Sequence, residues 1–104
     1  MTVATIGTAS VHVDAEGFLT RYDEWDEELG RQLAAQIGIA LTDAHWKAIR
    51  FLREDYPTLG ETATLRRVST VANIPIKELF ALFPGKPAKK MAYIAGLPKP
   101  RGCV

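Results

Sequence analysis

Hydrophobic and polar residues alternate along the first part of the chain, and this alternation later gives way to a helical period. In the stretches 3–6 and 10–13, β-branched and apolar residues alternate with polar or small ones, which is typical of strands. Gly7 interrupts the first stretch, and residues 14–17 (Asp-Ala-Glu-Gly) carry turn chemistry after the second. We therefore predict a small β-hairpin or two-stranded ribbon. Two strands alone are marginal in water, so this ribbon must pack on the rest of the chain.

From Asp26 onward the apolar residues recur at helical spacing, and the pattern predicts five helices. The first begins at the N-cap Asp26 and ends at Gly38, with Leu29, Leu33 and Ile37 on one face. The other four are predicted from Thr42 to just before Pro57, from Thr62 to Asn73, from Pro75 to Pro84-Gly85, and from Pro87 to about Gly96. Their expected inward residues are Trp46, Ile49, Leu52 or Arg53, Tyr56, Leu65, Val68, Val71, Ala72, Ile76, Leu79, Phe80, Phe83, Met91 and Ile94, with Tyr93 as a further candidate.

The last residues differ from everything before them. Pro98 and Pro100 each fix φ and remove a backbone donor, so the segment can neither continue a helix nor join the centre of a sheet. The fold class we predict is mainly α (α+β): a small bundle of about five helices with an N-terminal β-hairpin and an extended C-terminal arm. Residues 1–104 form a single domain in this prediction, with 96–104 as a mobile arm.

Composition and charge narrow the possible functions. Hydrophobic residues make up 47% and charged residues 24% of the 104, as in an ordinary globular domain, and the formal net charge is only +1. That balance gives no general attraction to nucleic acid or anionic lipid. The N-terminus lacks a signal-peptide pattern and no apolar run is long enough to span a bilayer, so we expect a cytoplasmic protein. No metal-ligand spacing or phosphate-binding loop is present, and we expect no cofactor.

The single cysteine is the candidate reactive group. Cys103 stands next to last on the predicted arm, where its thiol is open to a partner. Gly102 lets the backbone bend beside it. Lys99 and Arg101 would favour an anionic sulfur and attract an acidic partner, while the terminal carboxylate of Val104 opposes their effect on the sulfur, so we predict no net shift of the thiol. A terminal residue often has no role, but an exposed free thiol is a liability unless it is used. We therefore interpret Cys103 as a group that receives and passes on a chemical unit.

The histidines offer no catalytic companion for this thiol. His12 lies in the predicted ribbon and is interpreted as a surface or edge residue. His45 lies in the first turn of the second helix, and we favour a capping or packing role for it. The pattern therefore indicates a carrier, and whether it is an enzyme in its own right stays open.

Several stretches resemble the TusE/DsrC family of sulfur-relay proteins, most specifically at the C-terminus. The stretches that carry the resemblance are 82–84 (Leu-Phe-Pro), 87–90 (Pro-Ala-Lys-Lys), 94–100 (Ile-Ala-Gly-Leu-Pro-Lys-Pro), 102–104 (Gly-Cys-Val), 16–19 (Glu-Gly-Phe-Leu) with Trp25, 45–47 (His-Trp-Lys), and 50–53 (Arg-Phe-Leu-Arg) with Tyr56. The resemblance implies a helical protein with an N-terminal hairpin, a mobile arm, and a penultimate cysteine that accepts sulfur as a persulfide.

The two branches of that family imply different partners. A TusE-like protein would take sulfur from a TusBCD-like or DsrEFH-like donor complex and pass it to the thiouridylase that makes 2-thiouridine at the tRNA wobble position. A DsrC-like protein would serve dissimilatory sulfite reductase through a second cysteine, but Ala92 stands at that position here. The resemblance thus favours a one-cysteine sulfurtransferase carrier in tRNA thiolation. A carrier for sulfur oxidation, feeding a sulfite reductase or a heterodisulfide-reductase-like complex, is the alternative.

Charged and aromatic side chains leave further alternatives. The third and fourth helices would form a DNA-binding helix-turn-helix if Arg66, Arg67, Lys77, Lys89 and Lys90 contacted phosphate, although two packed core helices are the favoured interpretation. Lys89 and Lys90 with Arg101 would otherwise form a basic rim that orients an acidic partner. The aromatics Trp25, Trp46, Tyr56, Phe80 and Phe83 are expected in the core.

Overall fold

The computed structural model describes residues 2–7 and 9–100, and it begins with the predicted β-hairpin. Strand β1 (Thr2–Ile6) pairs antiparallel with β2 (Ala9–Val13), in a register that places Val3 opposite His12 and Ala4 opposite Val11. An isolated bridge from Val13 to Leu19 extends the ribbon beyond the turn. The hairpin prediction is therefore confirmed.

Five α-helices follow within the described residues, preceded by one short 3-10 turn. The turn is Tyr22–Glu24, and the helices are α1 (Glu27–Gln36), α2 (Asp43–Leu59), α3 (Leu65–Val71), α4 (Ile76–Leu82) and α5 (Pro87–Ala95). The Asp26 side chain accepts the Leu29 amide at 2.8 Å, Pro87 occupies the first turn of α5, and Gly96 ends α5 with φ of 69°. The predicted mainly α fold with a hairpin is confirmed.

The predicted end of the second helix is wrong, because α2 continues through Pro57 to Leu59. A proline in a helix leaves the carbonyl four residues earlier without its backbone donor. Here that carbonyl belongs to Arg53, and the Tyr22 hydroxyl donates to it at 2.7 Å. The helix therefore passes Pro57 without a buried unpaired carbonyl, and it ends at Gly60, whose φ is 81°.

The predicted start of the third helix is also wrong. Thr64 caps α3, and its hydroxyl oxygen accepts the Arg67 amide at 3.2 Å. Thr62 precedes the helix and is buried, and its hydroxyl donates to the Pro98 carbonyl instead. The predicted break at Asn73 is confirmed, since its φ of 60° lies in the left-handed region.

Helices α2 and α5 pack together at the centre of the molecule, and α1 covers α5. Ile49, Leu52, Met91 and Ile94 are completely buried between them. A second cluster, formed by Val11, Val13, Leu19, Leu29 and Leu33, joins the ribbon to α1. The ribbon thereby gains the support that two strands need.

Three residues predicted to face the core are exposed instead. Val71, Ile76 and Phe80 keep 55%, 43% and 47% of their surface accessible. Within α3 and α4 only Val68 and Leu79 are fully covered, with Phe83 just beyond. Only part of the apolar face of these two short helices therefore packs against the rest of the protein, and the remaining apolar residues are exposed.

Candidate functional site

The C-terminal end of α5, with residues 96–100, makes up what we call the arm root. A helix leaves its last four carbonyls without intrahelical donors, and α5 has no basic residue in its last turn to serve them. Two of the four are met by backbone: the Leu97 amide donates to Ala92 at 3.0 Å, and the Gly96 amide donates to Tyr93 at 3.3 Å. The chain therefore turns back tightly as it leaves the helix.

Two side chains from other parts of the chain donate hydrogen bonds to the remaining two carbonyls, those of Ile94 and Ala95. Trp25 Nε1 donates to the Ile94 carbonyl at 2.8 Å, and an Arg53 guanidinium nitrogen donates to the Ala95 carbonyl at 3.2 Å. The Trp25 ring also lies against Gly96, where a Cβ would come within 2.4 Å of Cδ1. Glycine is thus required at this position both by its positive φ and by the ring.

Arg53 is itself held by two aromatic rings. Its Cζ lies 3.8 Å from the Tyr22 ring centroid and 4.4 Å from that of Trp25, and its second terminal nitrogen donates to the Tyr22 carbonyl at 3.0 Å. Partial burial lowers the pKa of Arg53, an effect that the nearby Tyr22 and Asp23 oppose. An arginine remains charged after such a shift, so the guanidinium keeps both its donors and its attraction to the rings.

Residues 97–100 lie along the surface of the body, by which we mean the part of the protein before residue 96. The Leu97 side chain is completely buried, and the buried Thr62 hydroxyl donates to the Pro98 carbonyl at 2.6 Å. Lys99 Nζ lies 3.4 Å from Glu16 Oε1, and Pro100 is buried. These contacts fix the path of the chain as far as Pro100.

The predicted site residues divide into two sets. Arg101, Gly102 and Cys103 lie outside the described residues, and their predicted roles stay predictions. Lys89 and Lys90 lie on α5 and line the same surface groove as Glu16, the ion-pair partner of Lys99. The described part of the predicted site therefore comes together at one face, next to the arm root.

Lys89 and Lys90 line a surface groove of about 550 Å³, which we call the lysine groove. Its lining residues are Glu16, Phe18, Ile37, Gly85, Lys86, Lys89, Lys90 and Tyr93. The Phe18 and Tyr93 rings meet edge to face with centroids 5.8 Å apart, and burial raises the pKa of Tyr93. Lys90 Nζ donates to the Pro84 carbonyl. The groove combines an aromatic floor with a cationic rim.

Both histidines have structural partners. His45 Nδ1 accepts the Thr42 amide at 3.1 Å, and its Nε2 donates to the Leu82 carbonyl at 2.8 Å, which confirms the predicted capping role. His12 Nδ1 lies 2.7 Å from Glu24 Oε2, and the His12 backbone amide helps to lower the pKa of Glu24. Neither arrangement resembles a nucleophile with its base.

The sequence alone did not identify the three residues that anchor the arm root. Trp25 was expected only in the core, Arg53 only as an alternative to Leu52, and Thr62 as a helix cap. The absence of a basic residue in the last turn of α5 was a usable signal, because it means that distant donors must cap the helix. It does not say which residues those donors are.

Two other kinds of site are absent from residues 2–7 and 9–100. No three or more histidine, cysteine, aspartate or glutamate side chains gather there closely enough to hold a metal ion. No helix in that part of the chain has the length and hydropathy of a membrane span.

Comparison with known proteins gives consistent likenesses. The family model for DsrC-like protein matches residues 5–104. Sulfurtransferase TusE of Photorhabdus laumondii is 39% identical over 101 residues, covering 90% of this chain and 91% of the relative.

Two solved structures show the same fold. The crystal structure of dissimilatory sulfite reductase I (DsrI) gives a TM-score of 0.83 with 34% identity, over 99% of this chain and all (100%) of that one. The solution structure of Allochromatium vinosum DsrC gives 0.82 with 33% identity, over 98% and 97% of the two chains. Together with the sequence relatives, these likenesses support a sulfur-carrier role.

Proposed function

Since this chain belongs to the DsrC-like protein family, we propose that it is a cytoplasmic sulfurtransferase carrier that holds one sulfur atom as a persulfide on Cys103. The observation that carries the proposal is the arm root: Trp25, Arg53 and Thr62 hold its backbone by hydrogen bonds, and the only cysteine of the sequence follows Pro100 by three residues. A carrier needs its reactive group at a defined exit from the body and within reach of other proteins.

The proposed reaction is an exchange of one sulfur atom between thiols. The Cys103 thiolate attacks the outer sulfur of a donor persulfide, a new S–S bond forms to Cys103, and the donor's S–S bond breaks to release a donor thiolate. The same exchange in reverse order hands the sulfur to the acceptor's thiol. Both steps conserve atoms and electrons, so no oxidant or reductant is consumed.

We assign supporting roles to the residues around the thiol. Gly102 would allow the backbone to enter a narrow partner cleft, and Arg101 would favour the anionic form of the sulfur. Lys99 would help to receive an acidic partner once its weak surface pair with Glu16 opens. Lys89 and Lys90 would form part of the same basic rim.

For the pathway, we propose the relay for wobble-uridine 2-thiolation of tRNA, with a TusBCD-like donor complex and a thiouridylase as acceptor. Two observations support this choice. The sulfurtransferase TusE relatives are 39% identical to this chain. Ala92 stands where the two-cysteine branch has its second thiol, so Cys103 is the only thiol in this sequence and no disulfide or sulfur bridge can form within one chain.

A carrier for dissimilatory sulfur oxidation is the second candidate, because DsrC and DsrI structures match the fold at TM-scores of 0.82 and 0.83. A DNA-binding role gains no such support. Arg67 is committed to the buried carboxylate of Asp55 at 2.6 Å, and Ile76 and Phe80 expose apolar surface on the would-be recognition helix.

Loading is tested by mass spectrometry after incubation with a persulfide donor. We expect one added sulfur atom on the full chain, located after alkylation and cleavage at Glu78 in the peptide 79–104. The same addition on Cys103→Ser, or none on the parent chain with a donor that loads another thiol protein, contradicts the proposal.

The pathway is tested by offering the loaded chain to two acceptors. A wobble-uridine thiouridylase with its tRNA should yield 2-thiouridine that carries labelled sulfur, and the yield should vanish with Cys103→Ser. Transfer to a heterodisulfide-reductase-like complex, with none to tRNA, would select the second candidate.

A further inference from the structure

We propose that the lysine groove binds an acidic segment of a relay partner that carries one apolar or aromatic side chain. This inference rests on the proposed carrier function, because a sulfur donor or acceptor would supply the segment. It adds a docking site on the body, separate from the cysteine.

The floor of the groove fits an apolar side chain. Phe18, Ile37 and Tyr93 line it, and the volume of about 550 Å³ exceeds that of one large side chain. Phe18 is nearly completely buried and its edge-to-face contact with Tyr93 holds both rings in place. An incoming side chain would therefore meet a preformed surface, which reduces the entropy cost of binding.

The rim of the groove carries unneutralised positive charge. Among residues 2–7 and 9–100, neither Lys86 nor Lys89 forms an ion pair. The one carboxylate in the lining, Glu16, is already paired with Lys99. Complementary charge on a partner would speed docking and fix its orientation.

The observations favour a peptide over a nucleic acid. The groove has lysines but no arginine, and arginine is the side chain that grips phosphate in a bidentate manner. A carboxylate-bearing segment needs only point charges and an apolar pocket, and both are present.

Glu16 and Lys99 connect this groove to the arm root. An acidic segment at the rim would compete with Glu16 for Lys99, whose ion pair is partly exposed and weak. Occupancy of the groove would thereby loosen one of the contacts that hold residues 97–100 on the body.

NMR titration of the full chain with Cys103→Ser, which separates docking from sulfur loading, tests the proposal. The probe is the capped peptide acetyl-Glu-Glu-Phe-Glu-Glu-amide. We expect saturable shifts of the Phe18, Ile37 and Tyr93 resonances, and binding that weakens as salt is added. Lys86→Glu with Lys89→Glu should weaken the binding about tenfold or more.

Matched controls make the outcome decisive. Lys47→Glu with Lys77→Glu reverses two exposed lysines outside the groove and should leave binding nearly unchanged. The peptide with alanine in place of phenylalanine should bind several-fold more weakly. Absence of groove shifts, equal loss with both lysine pairs, or tighter binding of a single-stranded RNA oligonucleotide would overturn the proposal. Each of these results leaves the persulfide test unaffected.

Discussion

The arm root and the lysine groove are neighbours on α5, but the polar groups of the arm root have partners within the protein, whereas two lysines of the groove have no ion-pair partner among the described residues. At the arm root every one of the last four carbonyls of α5 has a donor, two of them from the side chains of Trp25 and Arg53. In the groove, by contrast, Lys86 and Lys89 carry charge that no described carboxylate neutralises.

This difference indicates that the arm root positions the chain and that the lysine groove is suited to binding a partner. A buried carbonyl that loses its donor destabilises the fold, so the paired groups of the arm root hold a fixed geometry. Exposed lysines contribute little to stability and remain available to a partner. Substitutions in the arm root should therefore affect stability, and substitutions in the groove should affect binding.

The largest effect is expected from Gly96→Ala. The added Cβ would approach Trp25 Cδ1 to 2.4 Å at a φ of 69°, so we expect a loss of about 2–5 kcal/mol in the free energy of unfolding, measured in urea. Gly60→Ala is the matched control, with a φ of 81° and nothing within 4 Å of the Cβ. An equal loss in both variants would show that Trp25 does not constrain the arm root.

Arg53→Met should have the next largest effect. It removes the donors to the Ala95 and Tyr22 carbonyls while keeping the side chain long, and we expect a loss of about 2–3 kcal/mol. Arg50→Met, on the same helix, removes an exposed ion pair with Glu27 and a cation–π contact with the Trp46 ring, whose centroid lies 5.5 Å from Arg50 Cζ. It leaves no backbone carbonyl without its donor, so it should cost about 1 kcal/mol or less. Denaturant unfolding of the two variants measures the difference, and equal losses would contradict the capping role of Arg53.

The acid side of the stability curve should depend on Asp55. Hydrogen bonds from Arg67 lower the pKa of this buried carboxyl. The Asp55–Arg67 ion pair links α2 to α3, and Thr62 lies in the segment that connects these two helices. Because the folded pKa lies below the unfolded value, the stabilisation is present above the ordinary carboxyl pKa of about 3.9 and is lost as pH falls through the folded pKa.

The Asp55 prediction is checked with unfolding curves taken from neutral pH to well below the ordinary carboxyl pKa, because the loss occurs between that value and the lower folded pKa. The parent chain should lose stability more steeply with acid than Asp55→Asn. Parallel pH profiles would contradict the assignment of that loss to Asp55.

The smallest stability effect is expected in the lysine groove. Lys86→Ala with Lys89→Ala should change the free energy of unfolding by no more than about 0.5 kcal/mol, since Lys86 is exposed, Lys89 is partly exposed, and neither has an ion pair among the described residues. Thermal and urea unfolding provide the measurement. A loss as large as that of Arg53→Met would show that the groove lysines support the fold.

Much of the fold follows from local signals in the sequence. Asp26, Pro87 and Gly96 are found at the helix ends where they were predicted, because capping and turn preferences act over a few residues. Pro57 misled the prediction since the donor that rescues the Arg53 carbonyl comes from Tyr22, far away in sequence. Val71 and Phe80 misled it because periodicity marks an apolar side without showing how much of it is covered.

The candidate site was predictable in its chemistry more than in its geometry. The position of the only cysteine and the lysines of α5 can be read from the chain. The anchoring by Trp25, Arg53 and Thr62, and the apolar floor beside Lys89, depend on contacts between distant segments. No local pattern contains that information.

If the proposed function is correct, Cys103 alone takes up and holds the transferred sulfur. Mass spectrometry can compare the parent chain and Cys103→Ser in the same sample after both have been incubated with one persulfide donor. We expect one added sulfur atom on the parent chain and none on Cys103→Ser, and a thiol reductant should remove the addition. Equal addition to both proteins, or to neither while the donor loads a reference thiol protein, would contradict the proposed function.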